Sequence, residues 1–112
     1  MPSNQLLASQ PYPVERALKT LGGNLRTARV RRGLTMEEAA QKIATGYRAI
    51  MDAERGKPSS SVAVYAALLW LYDLLPAFED LANPVKDTHG LALDRRKQPV
   101  RVRKARGLNN DF

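Results

Sequence analysis

The sequence predicts an all-α fold built from five short helices. Apolar residues make up 44% of the chain and aromatic residues only 6%, a composition typical of packed Leu, Ala and Val helices. Apolar positions recur at spacings of three and four residues, and helix-starting and helix-ending residues separate the stretches. With 112 residues and no cysteine, the chain has room for one core and can form neither a disulfide nor a thiolate metal site.

The first predicted helix runs from Pro13 to about Arg32. Proline suits a first helical turn because its φ is already fixed. Apolar residues follow at helical spacing: Val14, Ala17, Leu18, Leu21, Leu25 and Ala28. Gly22-Gly23 costs about 0.5–1 kcal/mol per glycine relative to alanine, and either kinks the helix or splits off a leading turn. Residues 1–12 contain two prolines and no apolar period, which predicts a mobile N-terminal arm.

The second predicted helix runs from Met36 to about Ile43 and has clear start signals. Gly33 favours a left-handed end to the first helix. Thr35, followed three residues later by Glu38, forms a capping box. A tight connection between the first two helices is therefore expected.

The third predicted helix follows the turn at 44–46 and ends at Arg55-Gly56. Ile50 and Ala53 are expected to face the core. The outward positions are Tyr47, Arg48, Met51 and Asp52. The second and third helices thus form a pair around a tight turn.

A strongly apolar fourth helix is predicted from about Ser61 to Tyr72, after a serine N-cap. It holds too many large apolar side chains for one narrow stripe, so it is either buried on two sides or shared with a second subunit. A fifth helix spans roughly 75–82, and Asn83-Pro84 closes a domain of residues 13–83. The candidate dimer-interface residues are Val64, Leu68, Leu74 and Phe78. Trp70 and Leu71 belong to the same surplus of large apolar residues. The alternative for all of these residues is an ordinary core, and it applies especially to Trp70 and Leu71.

Most of the positive charge lies near the C-terminal end. Residues 83–112 hold eight basic and three acidic residues, within a formal net charge of +7 for the whole chain. We expect residues 84–112 to form a basic tail that contacts DNA phosphates non-specifically, folds on a protein partner, or only solubilises the chain. The alternation at 98–104 is strand-like. The candidate contact residues of the tail are Arg95, Arg96, Lys97, Arg101, Arg103, Lys104 and Arg106.

Three short motifs stand at the ends of the predicted helices. The first helix ends in R-x-x-R-G-L-T at 29–35, the second carries E-E-A-A at 37–40, and the third closes with E-R-G at 54–56. With these motifs, the segment from Leu21 to Leu81 resembles the Cro/lambda-repressor type of DNA-binding domain, the XRE family. The resemblance covers just over half of the chain and implies a five-helix lambda-repressor-like fold with a central helix-turn-helix. In such a fold a scaffold helix holds the N-terminal end of a recognition helix against base edges in the major groove.

Carried over by position, the resemblance implies two groups of DNA contacts. The base-contact candidates are Tyr47, Arg48, Met51 and Asp52, and the phosphate-contact candidates are Met36, Thr45, Gly46, Arg55 and Lys57. Arg48 leads the first group because the guanidinium fork matches guanine O6 and N7. The alternative for Arg48 is a surface ion pair with Asp52, one helical turn away.

Other positions are given structural roles or depart from the family. Glu54 is expected to reach Arg29 or Arg32 in a structural contact. Met36 stands where the family commonly has Gln, and Gly46 where it has Ser or Thr. Fewer side-chain contacts to DNA are therefore available than in a typical member.

Residues 82–112 read ANPVKDTHGLALDRRKQPVRVRKARGLNNDF. This run resembles the C-terminal extension of HipB-like regulators, antitoxins that repress their own operon and bind a HipA-type kinase toxin. The resemblance implies a homodimeric transcriptional repressor that binds a palindromic operator in double-stranded DNA and partners a HipA-type kinase. Two alternatives stay open. One is a phage-type repressor unrelated to toxin–antitoxin systems, and the other is a protein-interaction adaptor that keeps the scaffold without reading DNA.

The residues predict neither an enzyme nor a site for a metal or cofactor. His89 is the only histidine and sits in a polar stretch, while Glu37-Glu38 suits a helix start rather than acid–base chemistry. No phosphate-binding glycine motif is present. No stretch approaches the roughly 18–20 apolar residues of a membrane span, and the first residues lack a signal-peptide pattern. We therefore expect a cytoplasmic protein, associated with the bacterial nucleoid through DNA binding.

Overall fold

A computed structural model describes residues 4–97, and within them every regular element is an α-helix. The helices are α1 (Asn4–Ala8), α2 (Tyr12–Arg31), α3 (Met36–Lys42), α4 (Tyr47–Glu54), α5 (Val62–Leu71), α6 (Leu75–Glu79) and α7 (Thr88–Lys97). The all-α prediction is therefore confirmed over the described part of the chain. The strand-like alternation at 98–104 lies outside the described residues.

The five predicted helices correspond to α2 through α6, and two further helices were not predicted. α1 lies in the segment expected to be an arm, where Gln10 Nε2 donates to Leu6 O and Leu7 O at 3.0 and 2.7 Å and closes the helix end. α7 lies in the expected tail, where Asp87 Oδ1 accepts from Gly90 N at 2.9 Å at the helix start. α1 has five residues, too few to show an apolar period, and α7 buries no residue.

The start and stop signals predicted for the middle helices are all present. Thr35 N donates to Glu38 Oε1 at 2.8 Å and Glu38 N donates to Thr35 Oγ1 at 3.0 Å, which is the expected capping box. Gly33 has a φ of +68°, as its role after α2 requires. Ser61 Oγ accepts from Ala63 N at 3.0 Å and caps α5.

The glycine pair does not split off a leading turn, because α2 is continuous over its 20 residues. Gly22 is buried, and a Cβ there would lie 2.6 Å from both Ala53 O and Glu54 O. Gly23 is exposed, with nothing within 4 Å of its Cβ position. Gly22 is thus the point at which α2 touches the backbone at the end of α4.

The chain forms two compact units, one ending at Phe78 and the other beginning at Glu79. The first unit contains the core, whose buried residues are Leu25, Ala28, Ala39, Ala40, Ile50, Ala53, Tyr65, Leu68 and Tyr72. The alanines let α3 and α4 approach closely, while Ile50 and Ala53 anchor α4 as predicted. Within residues 4–97, no helix combines the length and apolar character that crossing a membrane requires.

The second unit is locally ordered around Asp80. Its carboxylate accepts from Lys86 Nζ at 2.5 Å and from Asn83 Nδ2 at 2.8 Å. These hydrogen bonds, first from Lys86 and then from Asn83, lower the pKa of Asp80. Asn83 Oδ1 also accepts from Val85 N at 2.9 Å, so the connection to α7 is held by short-range polar contacts.

Candidate nucleic-acid interface

The turn between α3 and α4 is tight and fully hydrogen-bonded at its entry. Ala44 adopts a left-handed conformation with a φ of 58°, and its N–H donates to Gln41 O at 3.2 Å. Thr45 N donates to Ala40 O at 2.9 Å. α4 then begins after Gly46, which offers no side-chain cap. The first N–H groups of α4 are therefore not occupied by a capping side chain.

α4 has a buried face and an outward face, as the sequence predicted. Ile50 and Ala53 are fully buried, whereas Tyr47 and Arg48 are exposed on the first turn. Met51 and Asp52 are half-buried. The four base-contact candidates therefore lie away from the core, with the first two most accessible.

A buried ion pair holds the end of α4 to α2. Arg29 Nε and Nη2 donate to the two carboxylate oxygens of Glu54 at 2.6 and 2.9 Å, and Nη1 donates to Leu34 O at 2.8 Å. The side chains of Arg29 and Glu54 are only 9% and 5% exposed. The hydrogen bond with Glu54, opposed by burial, raises the pKa of Arg29. Of the two partners expected for Glu54, the structure has Arg29.

Arg32 instead joins α2 to the end of α5. Its guanidinium donates to Ala28 O at 3.0 Å and to Tyr72 O at 2.8 Å, and lies 5.6 Å from the centre of the Tyr72 ring. Tyr72 is fully buried, and its hydroxyl has no hydrogen-bond partner among the described residues. Burial, followed by the charge of Glu54, raises the pKa of Tyr72. Sequence reasoning missed this contact because it joins residues 40 positions apart.

Asp52 pairs with Lys57 rather than with Arg48. Lys57 Nζ lies 3.8 Å from Asp52 Oδ2. Within residues 4–97, Arg48 forms no salt bridge. The structure therefore does not contain the Arg48–Asp52 pair that was the alternative interpretation, and the Arg48 guanidinium is open to a ligand.

A groove between α2 and α4, here called the α2–α4 groove, collects four of the predicted contact residues. It has a volume of about 320 Å³. Its polar lining comes from Gln10, Glu15, Lys19, Arg48, Asp52, Arg55 and Lys57. Sequence reasoning did not include Glu15 and Lys19, because nothing in the spacing of α2 showed which of its faces lies beside α4.

The remaining phosphate-contact candidates are less uniform. Met36 is half-buried and packs against the core, and Thr45 is also half-buried. Gly46 is exposed at the start of α4. Met36 therefore contributes to packing at the start of α3, in addition to any contact its backbone makes.

The predicted dimer-interface residues separate into two groups. Leu68 is 0% exposed and belongs to the domain core, so its assignment to an interface was wrong. Val64 and Phe78 are half-buried, and Leu74 is exposed. Trp70, for which a core position was the alternative, is 61% exposed instead. α5 is apolar all round, and its core contacts cover only one side of it.

The tail candidates are only partly within the described residues. Arg95, Arg96 and Lys97 form the last turn of α7 and are exposed. Arg101, Arg103, Lys104 and Arg106 lie outside the described residues. His89 is exposed on α7, and among residues 4–97 no group of three metal-ligating side chains is close enough to hold an ion.

The chain matches no protein-family model, no curated protein and no solved structure.

Proposed function

We propose that the chain is a sequence-specific transcriptional repressor whose α2–α6 form a five-helix, lambda-repressor-like domain that binds double-stranded DNA. The observation that carries the proposal is the placement of α4. Its inner face is anchored by Ile50 and Ala53, its last residue is held by Arg29, and its first turn presents Tyr47 and Arg48 outward. An α-helix supported in this way fits the major groove with its N-terminal residues at the base edges.

Arg48 is proposed to read a guanine. Its guanidinium is exposed and forms no salt bridge within residues 4–97, so binding a base requires no internal pair to be broken. A bidentate contact to guanine O6 and N7 contributes about 1–3 kcal/mol of discrimination. Tyr47, Met51 and Asp52 complete the proposed base-contact face.

The phosphate contacts are proposed to come from both backbone and side chains. The N–H groups at the start of α4 have no side-chain cap, since Gly46 precedes them. The N-terminal end of a helix attracts anions, so these N–H groups are proposed to bind a phosphate. Arg55 and Lys57 are exposed beyond the other end of α4. Residues 21–82 contain eight basic and seven acidic residues, so affinity is expected to draw on the basic C-terminal residues as well.

A homodimer on a palindromic operator is part of the proposal. Val62, Trp70 and Leu74 form exposed apolar positions on and after α5. We propose that these side chains contribute to the dimer interface, since contiguous exposed apolar patches mark association sites. The two copies of α4 in such a dimer would contact the DNA about one helical turn apart. The operator would therefore contain two matching half-sites at that spacing.

The more specific proposal is an antitoxin role. It rests on the resemblance of the C-terminal extension to HipB-like regulators, and it gives the chain a HipA-type kinase toxin as partner and a cytoplasmic, nucleoid-associated location. The prediction is a kinase gene of this type beside the gene for this chain. Its absence would leave a repressor of the phage type as the better description.

The test of the proposed function is affinity for the DNA upstream of the chain's own gene, against scrambled DNA of equal length at the same salt concentration. Specific sites bind roughly 10³–10⁷ times more tightly than non-specific DNA. A ratio in that range supports an autoregulatory repressor. A ratio near one would contradict sequence-specific repression and favour an adaptor that binds a protein through the same scaffold.

A further inference from the structure

The α2–α4 groove contains more positive than negative side chains. Lys19, Arg48, Arg55 and Lys57 face two carboxylates, Glu15 and Asp52. Arg48 belongs both to this groove and to the exposed face of α4. The groove is therefore continuous with the face proposed to read bases.

The walls of the groove are fixed by backbone packing. Gly56 has a φ of +70°, and a Cβ there would lie 2.6 Å from Leu18 O. Gly22 approaches the carbonyls at the end of α4 just as closely. Because two glycine contacts join α2 to the end of α4 and the residues after it, the main chain fixes the backbone position of Lys19 relative to those of Arg55 and Lys57.

Each carboxylate in the groove pairs with a lysine, Glu15 with Lys19 and the 22% exposed Asp52 with Lys57, and the Glu15–Lys19 pair is the more exposed of the two. Lys19 Nζ lies 3.5 Å from Glu15 Oε2, with side chains 64% and 44% exposed. Such exposed pairs contribute at most about 1 kcal/mol, so Lys19 can exchange Glu15 for another anion at little cost. Within residues 4–97, Arg55 forms no salt bridge.

We propose that the α2–α4 groove binds a backbone phosphate of the same DNA whose bases α4 contacts, with Lys19 as a phosphate ligand from α2. The inference rests on the proposed DNA-binding function and extends its interface onto the N-terminal half of α2. Lys19 leaves Glu15 for the phosphate, beside Arg55 and Lys57. Glu15 opposes binding, since its charge repels the phosphate and competes for Lys19.

The test compares Lys19→Gln with Arg16→Gln, measuring affinity for the upstream duplex between 50 and 200 mM salt. Arg16 is a matched control because it is exposed on the same helix and lines a different depression. One lost phosphate contact lowers the slope of log affinity against log salt by about 0.9 and weakens binding at 0.1 M salt on the order of tenfold. Lys19→Gln should show both effects, and Arg16→Gln a much smaller one.

Glu15→Gln removes the competing carboxylate and should change affinity in the opposite direction, tightening binding severalfold. Equal slopes for the wild type, Lys19→Gln and Arg16→Gln would overturn the inference while leaving specific DNA binding intact. If the wild type binds upstream and scrambled DNA equally, specific repression fails, and the same slopes on scrambled DNA still decide the role of Lys19. If the wild type binds neither duplex at 50 mM salt, both proposals are overturned.

Discussion

Arg29 and Glu54 form a bidentate ion pair, with N–O distances of 2.6 and 2.9 Å, that ties the last residue of α4 to α2. A buried pair of this kind does not by itself make a domain more stable than an apolar contact would. It fixes one orientation of α4, because the guanidinium fork fits the carboxylate in a single geometry and also donates to Leu34 O.

Removing one partner of this pair should be costly. Glu54→Gln keeps the side-chain shape but leaves the Arg29 charge buried and uncompensated, with an expected loss of about 3–5 kcal/mol in the free energy of unfolding. Urea unfolding measures it. The matched control is Glu15→Gln, which removes a carboxylate from an exposed pair and should cost less than about 1 kcal/mol. Equal losses in the two variants would contradict the structural role of Glu54.

The two adjacent glycines of α2 should respond to alanine in opposite directions. Gly23→Ala adds a methyl group in open space, so the helix gains about 0.5–1 kcal/mol. Gly22→Ala places a Cβ 2.6 Å from two carbonyl oxygens of α4, and the shift this forces should outweigh that gain by about 1–3 kcal/mol. Thermal unfolding of the two variants is the measurement. Stabilisation by both substitutions would mean that α2 and α4 are not in backbone contact.

Tyr72→Phe should preserve or increase stability at neutral pH. The hydroxyl is buried without a partner among the described residues, and a buried unsatisfied hydroxyl costs about 1–3 kcal/mol. The Phe ring keeps the stacking with Arg32. A loss of more than about 1 kcal/mol in urea unfolding would indicate that the hydroxyl has a partner in solution.

The same residue predicts a dependence of stability on alkaline pH. Because burial raises the pKa of Tyr72 above 10.0, the folded chain holds the phenolic proton more tightly than the unfolded chain. The contribution of this proton to the free energy of unfolding is complete below about pH 10. It is lost as the pH rises through the folded-state pKa of Tyr72. The stability difference between Tyr72→Phe and the wild type should be constant up to about pH 10 and then grow in favour of the variant, and unfolding curves between pH 9 and 11 measure it; a difference that stays constant up to pH 11 would contradict the raised pKa.

Substitutions at Trp70 and Leu68 should have different effects on dimerisation and on folding, because Trp70 is exposed and Leu68 is buried. Trp70→Glu places a charge on an exposed apolar surface and should shift the proposed dimer to a monomer in sedimentation, with little change in the folded domain. Leu68→Ala deletes a fully buried side chain and should lower the free energy of unfolding by about 2–5 kcal/mol. A wild type that sediments as a monomer at micromolar concentration would refute the dimer.

The sequence was sufficient to predict those helix boundaries that depend on neighbouring residues. Gly33, Thr35 and Glu38 act within a few residues of one another, and their contacts were predicted correctly. The Arg32–Tyr72 contact and the exposure of Trp70 depend on how helices pack, which periodicity does not encode in a helix that is apolar all round.

The candidate site could likewise be predicted only where it depends on spacing within one helix. The outward face of α4 followed from the inward spacing of Ile50 and Ala53. Lys19 and Glu15 could not be placed beside Arg55, because the close approach at Gly22 and Gly56 that brings them together is visible only in three dimensions.

Arg48→Ala is the most direct test of base reading. The side chain is exposed and forms no salt bridge within residues 4–97, so its removal should leave the melting temperature unchanged. Competition between operator variants should show a loss of about 1–3 kcal/mol of discrimination at one base pair, with preferences at the other positions retained. Arg16→Ala, which removes an exposed arginine from α2, is the control and should leave every preference intact. Uniform weakening on all sequences by Arg48→Ala would show instead that Arg48 contacts a phosphate, because phosphate contacts carry no sequence information.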